Sequence, residues 1–320
     1  YNSNTCDLWE EITSTDFFWN RITMAKALSL GSQFANTLGY TSDSEKWLNS
    51  ANLIKSNIYN THWNGFYYYE SNNRPVDGAV IVALNVDDFI DPLSYEVAST
   101  VYYYNQIFSS EYPINLKDKN LYGILYGRYP GDIYAGGNPW ILTTAALSSL
   151  MYRISHKLNV GNKMSQNTLS MWSMALNYKF TTEDSNELSS FFKKQGDGLL
   201  LRIKNYIKPY DYHMYEQIDK NSGQQISAYD LTWSYAEVLN ALYYRNNILG
   251  TIVLSELAIK YKIRKINSIK IRKYANEGAV TKSCFILKIK SFNKQGMKNR
   301  NDNKNFGVPP TLIILVIKTL

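Results

Sequence analysis

Acidic residues near the start of the chain flank an aromatic one. The segment 7–11 (DLWEE) places the adjacent carboxylates of Glu10 and Glu11 beside the indole of Trp9, just before a stretch of helical periodicity. Repulsion between neighbouring carboxylates and partial desolvation by the indole raise the pKa of a carboxyl, as a general acid requires. The simpler interpretation is that acidic residues favour the N-terminus of a helix. The segment alone leaves both interpretations open.

A second carboxylate is Glu216, which lies in the loop-like segment 215–220 shortly before residues 230–235. Taken by itself, it could equally be an ordinary exposed glutamate. A third segment, residues 127–140, is so rich in glycine and proline that it cannot lie inside a helix. We expect a rigid loop there that ends where a helix begins.

The side chains of segment 127–140 suit the recognition of a sugar. Arg128 and Asp132 offer planar donors and acceptors for hydroxyl groups. Tyr129, Tyr134 and Trp140 offer aromatic faces that stack on the apolar face of a sugar ring. The alternative is a structural turn with an internal pair between Arg128 and Asp132.

Cysteine and histidine are too few for clustered metal or thiol chemistry. The chain contains Cys6 and Cys284, together with His62, His156 and His213. They cannot build a clustered zinc site or a disulfide framework. Motifs of phosphate-binding loops and serine hydrolases are also absent from the sequence. We therefore expect neither a metal nor a cofactor.

Helical periodicity dominates the first three quarters of the chain. Apolar residues recur at helical spacing from Phe18 to a stop at Gly39, and Ser42 with Glu45 predicts a capping box for a second helix. Because the connecting loop is very short, these two helices should pack antiparallel. Further helices are predicted at about residues 94–109, 138–158, 166–177, 185–207 and 230–245.

The clearest candidate strand is the short aromatic run 66–69 (FYYY). Because no strand alternates regularly with the helices, a parallel α/β sheet is disfavoured. The predicted class is all-α, with function carried by long loops between helix pairs.

The net charge of +7 belongs entirely to the end of the chain. Residues 1–245 carry 19 Lys and Arg against 24 Asp and Glu, whereas residues 246–320 carry 15 against 3. All seven tryptophans lie between Trp9 and Trp233, and the end of the chain is rich in Ile, Lys and Asn. We predict a domain over residues 1–245 and a basic tail over residues 246–320.

Three interpretations of the basic tail remain open. It could bind a polyanion or a membrane surface through a basic amphipathic helix, or it could be a solvated extension without a role. Because Ile, Lys and Asn share A/T-rich codons, it could also be translation in a wrong reading frame. The apolar run 312–317 is far shorter than the roughly 20 residues of a membrane-spanning helix, so we expect no transmembrane segment.

Three stretches, in order along the chain, closely resemble fungal and yeast glucoamylases, the glucan 1,4-alpha-glucosidases of glycoside hydrolase family fifteen. They are DLWEE (7–11), GRYPGDIYAGGNPW (127–140) and YEQIDKNSGQQISAYDLTWSYAEVLNALYYR (215–245). The resemblance covers about residues 1–245 and stops where the composition changes. It implies an (α/α)6 toroid of the six-hairpin glycosidase type, with the active site at a mouth formed by the long loops.

The resemblance implies catalytic roles for carboxylates. Glu10 matches the family's catalytic acid, which would protonate the glycosidic oxygen, and Glu216 matches the general base, which would activate water on the opposite face of the sugar. Such an inverting mechanism places the two carboxyl groups about 6.5–9.5 Å apart. Asp7 is the other candidate for the base, but it lies about one turn from the acid and is better placed to orient it.

Other matched positions would bind the substrate, namely Leu8, Trp9, Glu11, Arg128, Asp132 and Trp140. The resemblance implies that Glu11 binds the sugar after the cleaved bond. It also implies that Arg128 and Asp132 form the hydroxyl-binding loop and that Trp140 packs beneath this loop.

The sequence departs from the family pattern in two places. Gly131 stands where many relatives have Glu, so one sugar contact is expected to be missing. The family domain also has a long segment before the acid motif. We therefore expect this chain to represent only the C-terminal part of the barrel, with roughly seven of its twelve helices and with apolar helix faces left unburied.

The resemblance implies an exo-hydrolase that cleaves alpha-1,4 and, more slowly, alpha-1,6 glucosidic bonds and releases glucose from non-reducing ends. The implied partners are starch, glycogen and malto-oligosaccharides, and we expect a monomer that binds no nucleic acid and no membrane. One alternative is a truncated, catalytically silent fragment that still binds carbohydrate, and another is polyanion binding through the tail. Relatives imply a secreted protein or one of the vacuolar or sporulation compartment.

Overall fold

The computed structural model describes residues 3–86, 89–117 and 121–246. These residues are predominantly helical, and their strands are confined to two antiparallel two-residue ladders, which confirms the all-α class. The ladders are β1 (Thr5–Cys6) with β2 (Thr13–Ser14), and β3 (Gln217–Ile218) with β4 (Gln225–Ile226). The helices are α1 (Phe18–Thr37), α2 (Thr41–His62), α3 (Gly78–Ala83), α4 (Tyr95–Glu111), α5 (Pro113–Lys117), α6 (Ile141–Asn159), α7 (Gln166–Ala175), α8 (Ser185–Ile207) and α9 (Thr232–Asn246).

The first two helices form the predicted antiparallel pair. The hydroxyl of Ser32, late in α1, donates to the carbonyl of Ser44, early in α2, at 2.7 Å. The predicted capping box at Ser42 is wrong, because α2 begins one residue earlier at Thr41 and Tyr40, at its N-cap, makes no side-chain cap. The buried residues of α2, from Ala51 to His62, all lie between the middle of the helix and its C-terminal end.

Helix α6 lies at the centre of the core. Of its 19 residues, 16 are buried, and it contacts α3, α8 and α9. The hydroxyl of Ser148 on α6 donates to the carbonyl of Gly196 on α8 at 2.9 Å. A Cβ at Gly196 would come within 2.6 Å of the ring of Tyr152, so the two helices pack closely because this position is glycine. A helix that is buried on all sides belongs to the interior of a fold.

The aromatic run 66–69 is not a strand, so that prediction is wrong. The side-chain oxygen of Asn64 accepts the backbone N–H groups of Phe66 and Tyr67, both at 2.9 Å. This Asx turn bends the chain, and within the segment only an isolated bridge between Trp63 and Tyr68 forms.

The remaining predicted helices are present as α4, α6, α7, α8 and α9, with ends that differ by a few residues. Ser94, Ser165 and Asp184 cap the N-termini of α4, α7 and α8. Helices α3 and α5 escaped prediction because six and five residues are too few for a periodic pattern. None of the described helices is long and apolar enough to cross a membrane. The predicted tail, apart from its first residue, lies outside the described residues, and the boundary near Arg245 stays a prediction.

Candidate active site

The acidic segment 7–11 forms the loop of the first β-hairpin, between β1 and β2. The buried carboxylate of Asp7 accepts the backbone N–H groups of Glu11 at 2.7 Å and of Ile12 at 3.1 Å. Because α1 begins only at Phe18, the interpretation of these acidic residues as the N-terminus of a helix is wrong. The side chain of Asp7 instead organises the loop that carries Glu10.

Glu10 is exposed on this loop. Its backbone has a φ of 61°, in the left-handed region that residues other than glycine rarely adopt, and its N–H donates to the carbonyl of Asp7 at 3.2 Å. Such a conformation costs on the order of 1–3 kcal/mol and persists only where surrounding contacts enforce it. The Glu10 carboxyl itself forms no hydrogen bond or ion pair with any described residue.

Glu11, in contrast, is held by three side chains. Its carboxylate lies 2.7 Å from a guanidinium nitrogen of Arg128 and 2.9 Å from one of Arg74, and it accepts the hydroxyl of Tyr129 at 2.5 Å. Burial raises the pKa of Glu11, but the hydrogen bonds from Tyr129 and Arg128 and the two positive charges outweigh it and lower the pKa. Glu11 is therefore not the carboxyl of this pair whose pKa is expected to be raised.

Arg128 and Asp132 form the internal pair that the sequence suggested. Nε of Arg128 donates to Oδ2 of Asp132 at 2.8 Å and Nη2 donates to Oδ1 at 2.6 Å, and both residues are buried. Burial lowers the pKa of Arg128, but the hydrogen bonds and negative charges of Asp132 and Glu11 outweigh this effect and raise the pKa above its ordinary value. The guanidinium therefore stays charged. The third nitrogen, Nη1, contacts the partly exposed carboxylate of Glu11. Arg128 therefore forms the structural pair with Asp132 and also a polar contact at the surface of the site.

Aromatic rings connect the acidic hairpin to the rest of the site. The ring of Trp9 lies 5.6 Å from that of Trp140 and 5.9 Å from that of Trp233, centroid to centroid. Trp140 is buried, and the ring of Tyr134 and the guanidinium of Arg128 lie over it. The rings therefore form a continuous aromatic cluster that joins the acidic hairpin to the loop 127–140 and to Trp233.

Glu216 immediately precedes β3 and is buried, so its interpretation as an ordinary exposed glutamate is wrong. Its carboxylate accepts hydrogen bonds from the hydroxyl of Ser227 and, at 3.3 Å, from the side-chain amide of Gln217. No described cation forms an ion pair with it. An isolated antiparallel bridge between Gln217 and Trp140 joins this segment to the aromatic cluster.

Arg74 and Asp77 also belong to the site, although no motif in the sequence indicated them. Nη1 of Arg74 lies 2.5 Å from Oδ2 of Asp7 and 3.8 Å from Oδ2 of Asp77, and Nη2 contacts Glu11. Asp77 is fully buried and accepts the indole N–H of Trp9 at 2.9 Å. The only local signal was an arginine and an aspartate either side of Pro75 and Val76, which no motif distinguishes.

Two buried carboxyl groups behind the hairpin have shifted pKa values. Burial raises the pKa of Asp77 to about 7, against the hydrogen bonds from Ala79 and Trp9 that lower it. Burial and the neighbouring Asp77 also raise the pKa of Glu70, which accepts the backbone N–H of Trp19 at 3.1 Å. Burial below the acid loop therefore favours the neutral form of both carboxyl groups.

The predicted site residues thus fall into a connected cluster. Direct contacts link Asp7, Trp9, Glu11, Arg128, Asp132 and Trp140. Glu10 lies on the same loop, and Glu216 joins through Gln217, whereas Leu8 packs against the core. Within the described residues, no three His, Cys, Asp or Glu side chains are arranged to hold a metal ion.

A family model described as glycosyl hydrolases family 15 matches residues 1–243, about three quarters of the chain. The chain belongs to glycosyl hydrolase family 15. Among the relatives, Glucoamylase-1 of Schizophyllum commune is 30% identical over 274 residues, which cover 78% of this chain and 46% of the relative. Glucoamylase of Blastobotrys adeninivorans is 28% identical over 283 residues, with 78% and 45% covered. This family 15 chain spans about half the length of the curated relatives that it matches.

Solved structures of family 15 proteins share the fold. Glucoamylase from Hypocrea jecorina has a TM-score of 0.66 at 26% identity, over 78% of this chain and 45% of that one. Glucoamylase from Hormoconis resinae, at 24% identity, has the same TM-score over 76% of this chain and 45% of that one, which supports the fold alone. The predicted (α/α)6 fold class is confirmed.

Proposed function

We propose that this family 15 chain carries the catalytic groups of an inverting, exo-acting glucoamylase. In this proposal Glu10 protonates the oxygen of the scissile glucosidic bond, and Glu216 removes a proton from the attacking water. The bond is an alpha-1,4 linkage or, more slowly, an alpha-1,6 linkage at the non-reducing end of starch, glycogen or a malto-oligosaccharide. The product is glucose.

The observation that carries the proposal is the different pairing of the carboxylates on the acid loop. Asp7 and Glu11 are both paired with arginine, whereas the Glu10 carboxyl has no partner among the described residues. A general acid must lose and regain a proton in every turnover, and an ion pair with arginine opposes protonation. Of these three groups, Glu10 is therefore the one suited to donate a proton.

The surroundings of Glu216 suit a base. Ser227 and Gln217 are neutral donors that orient the carboxylate without a full positive charge, so it keeps the capacity to accept a proton. Both oxygens of Asp7, in contrast, are occupied by backbone N–H groups and Arg74, which supports a positioning role for Asp7. For inversion, the Glu10 and Glu216 carboxyl groups must lie about 6.5–9.5 Å apart, with room for a water.

The substrate class follows from the surfaces beside these carboxylates. Trp9 and Tyr134 present half-buried and exposed aromatic faces that stack on sugar rings, and Arg128 with Asp132 offers fixed donors and acceptors for hydroxyl groups. We expect the protein to act as a monomer. One relative is named an intracellular sporulation-specific glucoamylase, from Saccharomyces cerevisiae, and a secreted, vacuolar or sporulation compartment remains the predicted location.

Glucose release from maltose and soluble starch tests the proposal. The full chain is compared with its Glu10→Gln and Glu216→Gln variants, and Glu45→Gln on the exposed surface of α2 is the matched control. Loss of acid or base catalysis lowers the rate by about 10²–10⁴-fold, whereas the control keeps the parent rate. Proton NMR of the first product must show β-glucose, because inversion converts the alpha bond. Initial α-glucose, or full activity in either site variant, contradicts the proposal.

Carbohydrate binding without turnover is the second candidate function. It is favoured by the large apolar side chains exposed on α1, α2 and α9, including Phe34, Leu53 and Leu239. Calorimetry with maltotriose separates the two candidates. Heat of binding without any released glucose supports the silent form, whereas glucose release supports the enzyme.

A further inference from the structure

Arg74 joins two parts of the site that lie far apart in the sequence. Its guanidinium contacts Asp7 at 2.5 Å and Glu11 at 2.9 Å, and its central carbon lies 3.7 Å from the ring centroid of Tyr129. Its side chain is only 13% exposed. Arg74 therefore connects the acid loop with the loop 127–140.

We infer that Arg74 is a positioning residue that holds the acid loop in its strained conformation and so aims Glu10 at the glycosidic oxygen. This inference rests on the proposed function, in which Glu10 is the acid. Arg74 contacts the residues three before and one after Glu10, and it has no contact with Glu10 itself. It acts through these two neighbours.

The hydrogen bonds of the loop explain how this works. One oxygen of Asp7 accepts the N–H groups of Glu11 and Ile12, and the other contacts Arg74. Rotation of the Asp7 carboxylate would break the backbone hydrogen bonds that close the loop around Glu10. Arg74 opposes that rotation, since no other described cation pairs with Asp7.

The charge balance of the site also requires Arg74. The carboxylates of Asp7, Glu11 and Asp77 lie within 4 Å of the Arg74 guanidinium. Arg128 pairs with Asp132 through two of its nitrogens and with Glu11 through the third. Without Arg74, the carboxylates of Asp7 and Glu11 on the hairpin would lose the cation that they share and would repel each other. The loop would then relax away from its strained geometry.

Lysine would not fully replace this arginine. A planar guanidinium serves two carboxylates with different nitrogens while its face lies on the Tyr129 ring, whereas an ammonium is a single point charge on a flexible stem. Arg74→Lys should therefore keep the charge and lose part of the geometry. Its activity should lie between that of the parent and that of Arg74→Met.

Hydrogen exchange measures the loop without any need for activity. In the full chain, Arg74→Met should speed the exchange of the Glu11 and Ile12 amides at least about fivefold, because both are held through Asp7. Arg21→Met is the matched control, since Arg21 contacts Asp16 outside the hairpin loop. It should leave the exchange of residues 7–12 unchanged. Unchanged exchange in Arg74→Met overturns the inference.

Steady-state kinetics on maltose give the second measurement. Misplacement of an acid by about 1 Å costs up to about 10²-fold in rate, so Arg74→Met should lower kcat about 10- to 100-fold and change KM less than about threefold. A change in KM alone overturns the inference. If Arg74→Met does not fold, the exchange of the Glu11 and Ile12 amides is measured in Arg74→Lys instead. Faster exchange at an unchanged Tm supports the inference, and parent-like exchange overturns it.

The two readouts separate failure of the inference from failure of the proposed function. A parent chain that releases no glucose counts against the proposed function, yet the exchange experiment still reports whether Arg74 holds the loop. Activity in the parent that is lost in Glu10→Gln, together with parent-like exchange and kinetics in Arg74→Met, keeps the proposed function and rejects the role of Arg74.

Discussion

The indole N–H of Trp9 donates to both carboxylate oxygens of Asp77, at 2.9 and 3.1 Å, across 68 residues of sequence. Asp77 also caps α3 by accepting the backbone N–H of Ala79 at 2.7 Å. One buried carboxylate thus fastens the exposed acid loop to the N-terminus of a fully buried helix. The position of the loop depends on the core of the protein, since α3 packs against α1 and α6.

Removal of this hydrogen bond should destabilise the protein. Trp9→Phe keeps an aromatic ring between Trp140 and Trp233 and deletes the N–H that Asp77 accepts. We expect the free energy of unfolding in urea to fall by about 1–2 kcal/mol, because a hydrogen bond contributes about 0.5–1.5 kcal/mol with a neutral partner and about 1.5–3 kcal/mol with a charged one, and the pKa of Asp77 is raised to about 7. If the urea unfolding curves of Trp9→Phe and the parent have the same midpoint and slope, the hydrogen bond between Trp9 and Asp77 contributes nothing to stability.

The stability contributed by two buried carboxyl groups should fall as the pH rises from about 4 to 7. Burial raises the pKa of Asp77 to about 7 and raises that of Glu70 well above its ordinary value. A carboxyl whose pKa is higher in the folded than in the unfolded state binds more protons when folded. Its contribution to the free energy of unfolding is therefore complete below the unfolded pKa and is lost as the pH rises through the folded pKa. Glu70→Gln should flatten the dependence of the unfolding free energy on pH in this window.

Asp16→Asn is the control for that experiment. The hydrogen bond from His62 lowers the pKa of Asp16, so its contribution to stability is present above about pH 4 and is lost as the pH falls through the lowered pKa. Asp16→Asn should therefore change only the acid side of the profile. An unaltered slope between pH 4 and 7 in Glu70→Gln would contradict the role of the buried carboxyl.

Gly127 should tolerate no side chain. A Cβ at this position would lie 1.8 Å from the hydroxyl oxygen of Tyr112 and 3.0 Å from the carbonyl oxygen of Asn138. We expect Gly127→Ala to cost about 1–3 kcal/mol of unfolding free energy, as overpacking of a core does. Gly131→Ala meets nothing within 4 Å and carries only the strain of a φ of 74°. Thermal unfolding that ranks Gly131→Ala as the more damaging change would contradict this packing.

Most of the site could be predicted from the sequence because its residues lie in motifs. The segments 7–11 and 127–140 hold the acid loop, the buried pair of Arg128 with Asp132, and Trp140, and the structure joins them. The long helices were also predictable, since their apolar periodicity extends over 10 to 23 residues.

The remaining parts depend on contacts that are distant in sequence. Arg74 pairs with Asp7 across 67 residues, and no spacing rule connects two such positions. The hairpins that carry Glu10 and Glu216 have strands of only two residues, which leave no alternating pattern. The lowered pKa of Glu11 also depends on Tyr129 and Arg128, which only the fold brings to it.

Glu11→Gln should weaken substrate binding more than chemistry. In the proposed site Glu11 binds the sugar after the cleaved bond, and the change removes its charge and its pair with Arg128, whereas Arg74 keeps Asp7 as its partner. We expect KM for maltose to rise about tenfold while kcat falls less, in contrast to Glu10→Gln, which should lower kcat with little change in KM. The same loss of kcat in both variants would remove the distinction between a binding and a catalytic carboxylate.

The central claim is that Glu10 supplies a proton and Glu216 activates water, and a substrate that needs no proton tests it most directly. Fluoride leaves alpha-glucosyl fluoride without acid assistance, so Glu10→Gln should hydrolyse this substrate within about tenfold of the parent rate while losing about 10²–10⁴-fold on maltose. Glu216→Gln should be impaired on both substrates, because both need an activated water. An equal loss of Glu10→Gln activity on the two substrates, or parent-like turnover of the fluoride by Glu216→Gln, would contradict the assignment.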